Sequence, residues 1–382
     1  MRILFYHWPS YFEKDIQDIF VEKSISFDVL EWRFDDKNHD DSFLAHVREN
    51  VNVKSYDVIF SVNYWPLISV IAQESHVPYV SWCYDNPLNV RDIELTLGNE
   101  VNHVYCFDIA QTEGYRRQGY NVNYLTLGVN ADRLRRLKVS EKERNRFSAD
   151  VSFVGKLYES ATDWIMAQTD DYCKGYIQSV INAQQEIYGA YIIDKVISED
   201  FLNRINTSFK HVNPDNDFKL QKEELVFALS CEVTRRDRII LLSLMGTRFR
   251  TKFYSYNDSS VIKGVERCST VDYRSEMPYV FASSKINLNP CLRAIQTGIP
   301  LRALDIMACG GFLLSNYQQE LAELFEHEGE MVMYESYQDA VEKAEFYLKH
   351  DDIRMSIAQN GKEKVLRDFD MKDRLKYVLN NI

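Results

Sequence analysis

Short apolar runs of strand length alternate with helical patterns as far as residue 128, and this alternation confines the chain to an α/β fold with a parallel, doubly wound sheet. Ile3–Tyr6, Phe27–Trp32, Val58–Val62, Tyr79–Cys83, Val104–Phe107 and Val122–Leu127 read as strands. Lys14–Lys23, Phe43–Asn50, Leu67–Glu74 and Thr112–Gln118 carry helical spacing, the last closed by Gly119. Ligands of such sheets bind beyond the carboxyl ends of the strands. The loops there contain His7-Trp8-Pro9-Ser10, Asn63-Tyr64-Trp65, Tyr84-Asp85-Asn86-Pro87 and Asp108. No GxGxxG follows the first strand, which disfavours a dinucleotide. Asp85 and His7 are the catalytic candidates; the plain alternatives are a turn or cap carboxylate and a structural imidazole.

A chain of 382 residues exceeds one ordinary core, so two domains are expected. The reading is a first domain over 1–130, a polar basic linker over 131–148, and a second α/β domain over 149–365. Helical periodicity fills 159–246, as an insertion lengthening one crossover, and a last helix over 366–382 has the first domain as a candidate surface to pack on. The second domain centres on a strand–loop–helix–strand unit. Strand Lys285–Leu288 leads into a loop with Asn289, Arg293 and Gln296, then the turn Thr297-Gly298-Ile299-Pro300, the helix Leu301–Cys309 and the strand Phe312–Ser315. Backbone N–H groups and an Arg at a helix N-terminus suit a phosphate. Lys156, just past the strand Val151–Val154, is a further candidate phosphate contact.

The formal charge of −12 argues against a nucleic-acid partner. A local basic run, Arg133, Arg135, Arg136, Lys138, Lys142, Arg144 and Arg146, is broken by Glu141 and Glu143. It reads as a solvated linker helix, with peripheral contact to anionic lipid headgroups as the alternative. Seven scattered cysteines without a CxxC suggest reduced core thiols and neither zinc nor disulfides. Asp215-Asn216-Asp217 spells a D-x-D, but its Pro-, Asn- and Asp-rich surroundings describe a turn. With no apolar run of membrane-spanning length and no signal peptide, a cytoplasmic location is expected.

The segment Gly298-Ile299-Pro300-Leu301-Arg302-Ala303-Leu304-Asp305-Ile306-Met307-Ala308-Cys309-Gly310 resembles the donor-site signature of GT-B glycosyltransferases of the group-1 type. Asp305 matches the second acidic position of that signature, and Thr297 falls where the first Glu would stand. Residues 103–134 resemble the family's last strands of the N-terminal domain, and Phe153-Val154-Gly155-Lys156-Leu157 looks like its F-V-G-[RK]-L loop. The long helical insertion, Ser284–Asn289, Thr297–Asp305 and Val271-Asp272-Tyr273 look closest to the CgeB-like (spore maturation protein) branch.

The resemblance implies two Rossmann-like domains facing a cleft and a bacterial hexosyltransferase that works without a bound metal. Its co-substrate would be a nucleoside-diphosphate sugar, with UDP the expected nucleotide, and its acceptor a protein, glycan or lipid-linked hydroxyl. Asp305 would hold the ribose hydroxyls, Gly298 to Leu301 the donor phosphates, and Lys156 the leaving pyrophosphate. The family's second basic residue is replaced by Tyr158-Glu159-Ser160, with Arg293, Arg302, Arg235 or Arg238 as substitutes. With Thr297 neutral, an inverting route would need a base from Asp85, His7 or Asp108. A nucleotide-sugar epimerase or hydrolase of the same fold, or a non-catalytic GT-B binding module, stays open, as does the oligomeric state.

Overall fold

In strand β1 (Arg2–His7) the four residues Ile3 to Tyr6 are all buried, as they must be in a sheet covered on both faces. The computed structural model describes residues 1–382 apart from Asn89, Asn213, Asp215, Asn216, Asp217, Asp258 and Ser259. The D-x-D of the sequence therefore lies outside the described residues. The chain divides into two compact units, Met1–Arg135 with Thr297–Leu301 and Leu366–Ile382, and Arg136–Gln296 with Arg302–Val365.

The first unit is built on β1, β2 (Ser26–Glu31), β3 (Val58–Val62), β4 (Tyr79–Trp82), β5 (Asn102–Cys106) and β6 (Val122–Tyr124). They pair in the order β2-β1-β3-β4-β5-β6, every pair parallel. One face is packed with rings: Phe5 stacks on Phe60 at 5.6 Å, and Phe20 meets both edge-on. Asp108 caps the helix Ile109–Arg117 by accepting from Gln111 N, so that helix starts three residues earlier than its apolar spacing indicates.

The second unit contains β7 (Ala149–Val154), β8 (Thr251–Tyr254), β9 (Glu266–Cys268), β10 (Ser284–Asn289), β11 (Leu313–Asn316) and β12 (Val332–Tyr334). Their order is β12-β11-β10-β7-β8-β9, again all parallel. β9 is absent from the sequence reading because an exposed edge strand, Glu-Arg-Cys, buries no apolar stripe. Between β7 and β8 the insertion folds as the helices Thr162–Ala167, Asp171–Glu186, Ile193–Val196, Glu199–Val212 and Lys222–Gly246, with an apolar cluster of its own.

The stretch 131–148, expected as a linker, is largely helical and divided between the units. Ala131–Arg135 closes the first unit's main segment. Glu141–Phe147 belongs to the second, where Arg146 pairs with Glu276 and Phe147 stacks on Tyr279. Leu366–Ile382 lies in the first unit, with Lys372 bound to Glu22 and Asp132. Much of the basic run is thus consumed internally: Arg133 grips the fully buried Asp15 through two bonds of 3.0 and 2.8 Å, and Arg135 pairs with Asp132. All seven cysteines are free, six of them buried. Among the described residues no helix is long and apolar enough to cross a membrane.

Removing Arg133 leaves the Asp15 carboxylate buried without its cation. Arg133→Met is expected to destabilise the first unit by about 2–3 kcal/mol, somewhat less than the cost of breaking a fully buried pair because Arg133 is partly exposed. A urea unfolding curve followed by far-UV circular dichroism checks this; an unchanged midpoint would contradict it.

Candidate functional site

The second unit gathers three cations around the loop after β7. Arg238, inside the long helix Lys222–Gly246, is only 1% exposed, yet it faces no carboxylate among the described residues. Its Nε and Nη2 donate to Pro290 O at 3.1 and 2.7 Å, and its Nη1 donates to Lys156 O. Its guanidinium lies 5.0 Å from the Phe153 ring centre, and that of Arg302 lies 5.1 Å from the same ring. Lys156, exposed, lies over Tyr158 at 4.9 Å. Burial, followed by repulsion from Arg302, pulls the Arg238 pKa down to about 10, so it stays charged at neutral pH.

Neighbouring arginines are neutralised instead. Arg235 and Arg236 pair with Glu232, and Arg293 pairs with Asp237 at 2.7 Å. Arg293, Asp237 and the Tyr337 hydroxyl form a closed buried group that steadies the loop after β10. Of the substitutes named for the missing second cation, Arg238 and Arg302 are the ones with unspent charge. Asn289, at the end of β10 and fully buried, reaches Arg302 Nη1 at 3.5 Å and Ser315 Oγ at 3.0 Å. Gly155 lets Arg302 lie against the β7 loop, since a Cβ there would stand 2.8 Å from Arg302 Nη2.

Asp305 faces the same unit from the helix Leu301–Ala308 and is 5% exposed. Its Oδ1 accepts from the Tyr273 hydroxyl at 3.0 Å. Tyr273 has no role in the sequence reading beyond its place in a shared motif, and no spacing links it to Asp305 across 32 residues.

Thr297 and Gly298 do something other than expected. Both backbone N–H groups donate to Asp108 Oδ2, at 3.1 and 3.2 Å, and the Thr297 hydroxyl donates to Asp108 Oδ1 at 3.0 Å. Ala110 N in turn donates to Thr297 Oγ1. Of the Gly298–Leu301 backbone expected to face phosphate, the Gly298 amide is therefore engaged by a carboxylate of the protein itself. Gly298 is required by close approach, because a Cβ there would lie 2.7 Å from Phe107 O. Asp108, with 0% exposure and these donors around it, is a cap and anchor and is not placed to serve as a base.

At the carboxyl edge of the first sheet, His7 ends β1 and presents Nδ1 to Glu13 Oε1 at 2.7 Å. Asp85, just past β4, accepts from Asn63 Nδ2 at 2.8 Å, while Asn63 Oδ1 takes the N–H groups of Tyr84 and Asp85. The Tyr84 ring lies 6.4 Å from that of Trp8 and 6.3 Å from that of Tyr11. Glu13 was invisible from letters alone, since an acidic residue in a helix's first turn is ordinary. No group of three His, Cys, Asp or Glu able to hold a metal occurs among the described residues.

Residues 230–380 match the family described as Glycosyl transferase-like. No curated protein matches the chain in sequence. In structure the chain is similar to HepE of Anabaena in complex with UDP-glucose, at 11% identity, 100% of each chain and a TM-score of 0.55. It is also similar to sucrose-phosphate synthase from Thermosynechococcus elongatus, at 11% identity, 100% of this chain, 98% of the other and a TM-score of 0.58. A UDP-forming α,α-trehalose-phosphate synthase from Burkholderia xenovorans shares 11% identity over 100% and 99% of the chains, with a TM-score of 0.50. The likeness establishes the fold: two α/β units with parallel sheets, the GT-B architecture.

A carboxylate at position 297 would be set against the buried Asp108. Thr297→Glu is expected to lower the thermal midpoint by several degrees, and Thr297→Ser, which keeps the hydroxyl, to leave it nearly unchanged. Differential scanning calorimetry of the two variants decides it.

Proposed function

We propose that the chain is a glycosyltransferase that takes a hexose from a nucleoside-diphosphate donor, UDP first among the candidates. The observation that carries this is the Arg238–Arg302–Lys156 cluster: one guanidinium is fully buried, a second lies on the same ring, and neither has a carboxylate partner among the described residues. An uncompensated buried cation costs several kcal/mol, and a bound diphosphate would offset that cost. Fixed cations of this kind also stabilise charge as it builds on a leaving diphosphate, which supports catalysis without a metal. Asp305, held by Tyr273, is the proposed ribose ligand. Asn289 steadies Arg302, Arg293 steadies the loop, and Thr297 and Gly298 are assigned to anchoring Asp108 rather than to the donor.

Support comes from the GT-B fold, from the UDP-glucose held by HepE, and from the family match, which spans Arg238, Asn289, Arg302 and Asp305. The CgeB-like branch, a bacterial source and a cytoplasmic setting belong to this proposal. The acceptor is a hydroxyl of a protein, glycan or lipid-linked saccharide. With no acidic residue at 297, inversion is the proposed outcome, with His7 and Asp85 as the candidate bases. His7 is preferred over Asp85, whose Oδ2 takes part in a local ring of bonds with Asn63 that fixes the loop.

Titration calorimetry with UDP and with uridine separates the two halves of the donor site. Asp305→Ala is expected to weaken both ligands more than tenfold, about the worth of a charge-assisted hydrogen bond. Arg302→Ala should weaken UDP by a similar factor and leave uridine unaffected. No binding of UDP by the wild type, or equal loss of both ligands in Arg302→Ala, would contradict the assignment.

A further inference from the structure

The loop after β7 is fastened to the long helix Lys222–Gly246 along its length. Lys156 O accepts from Arg238 Nη1, the Tyr158 ring packs against a cluster that includes Cys231, and Ser160 Oγ donates to Ala228 O at 3.0 Å. Residues 156–160 therefore run antiparallel to the helix. Tyr158 bends the loop with a φ of 61°, a left-handed conformation that a tyrosine keeps only when its surroundings hold it. The Arg238 guanidinium lies 4.8 Å from the Tyr158 ring centre, and Lys156 Nζ lies 4.9 Å from the same ring. All three guanidinium nitrogens of Arg238 donate to main-chain oxygens, two to Pro290 O and one to Lys156 O. At 1% exposure that guanidinium has no surface to offer a ligand, whereas Lys156 is exposed and Arg302 partly so.

We infer that Arg238 is a positioning residue that does not touch the donor: it fixes the main chain at Lys156 so that the Lys156 ammonium meets the diphosphate. This rests on the donor site proposed above and specifies how its cations divide the work. A planar fork bonded to carbonyls of two loops sets direction as well as distance, which a lone ammonium in the same place does not. A loop ordered in advance also spares the complex the entropy of arranging it when the donor binds. The charge of Arg238 is felt by the anion across the loop, without a bond between them.

The test is a double-mutant cycle on the full chain, read by titration calorimetry as affinity for UDP and for uridine. Lys156→Ala and Arg238→Met should each weaken UDP roughly tenfold, and together little more than either alone, because both remove the same contact. Uridine affinity should be unchanged in all three variants. Arg238→Lys, which keeps the charge and loses the fork, should behave as Arg238→Met does, and it carries the cycle where the methionine variant fails to fold. Additive losses would mean that Arg238 meets the diphosphate itself, and full UDP affinity in Arg238→Lys would mean that charge alone is needed. Either result, or a Lys156→Ala affinity equal to wild type, overturns the proposal and leaves the donor site standing. An equal fall in UDP and uridine affinity on changing Arg238 marks a merely structural role and overturns it as well. Failure of the wild type to bind UDP overturns the donor reading, and this inference with it.

Discussion

A guanidinium buried to 1% without a carboxylate is the constraint on which the second unit is arranged. Arg238 is carried inward by a 25-residue helix and is tolerated only because Pro290 O, Lys156 O and two aromatic faces take up its donors and its charge. Those partners come from the loops after β7 and β10, so satisfying one side chain fixes both loops. Arg302 then finds its place between Phe153 and Asn289. The positive charge thus concentrated is a standing electrostatic cost that an anion can offset.

The first unit shows the opposite economy of charge. Asp108 and Asp15 are equally buried, but each is given its donors: Thr297, Gly298 and Gln111 for one, Arg133 for the other. The residue that departs from the group-1 donor signature, Thr297, is explained by this. A threonine can give a hydroxyl to Asp108 and accept from Ala110, whereas a glutamate would set two carboxylates together. What looked from the letters like a lost catalytic group is, in the structure, a gained anchor.

Some of the site was legible in order and some only in part. Lys156 and Asp305 stand on a strand-end loop and a helix that their own neighbours announce. His7 and Asp85 follow from the rule that ligands gather beyond strand ends, but nothing in the letters ranks them. In the sequence Arg293 and Arg238 are interchangeable cations. They differ only because Asp237, on the same helix as Arg238, turns toward Arg293 and takes its charge.

The sequence by itself determined the alternation of strands and helices, hence two parallel sheets, because apolar period and capping residues act over a few neighbouring positions. It also located the strand–loop–helix unit around Gly298 to Cys309. Tertiary structure alone decided which charges are spent and which remain. Asp108 meets Thr297 across 189 residues, Arg133 meets Asp15 across 118, and Tyr273 meets Asp305 across 32. Electrostatic and hydrogen-bond satisfaction depends on distance in space, and no local pattern encodes it.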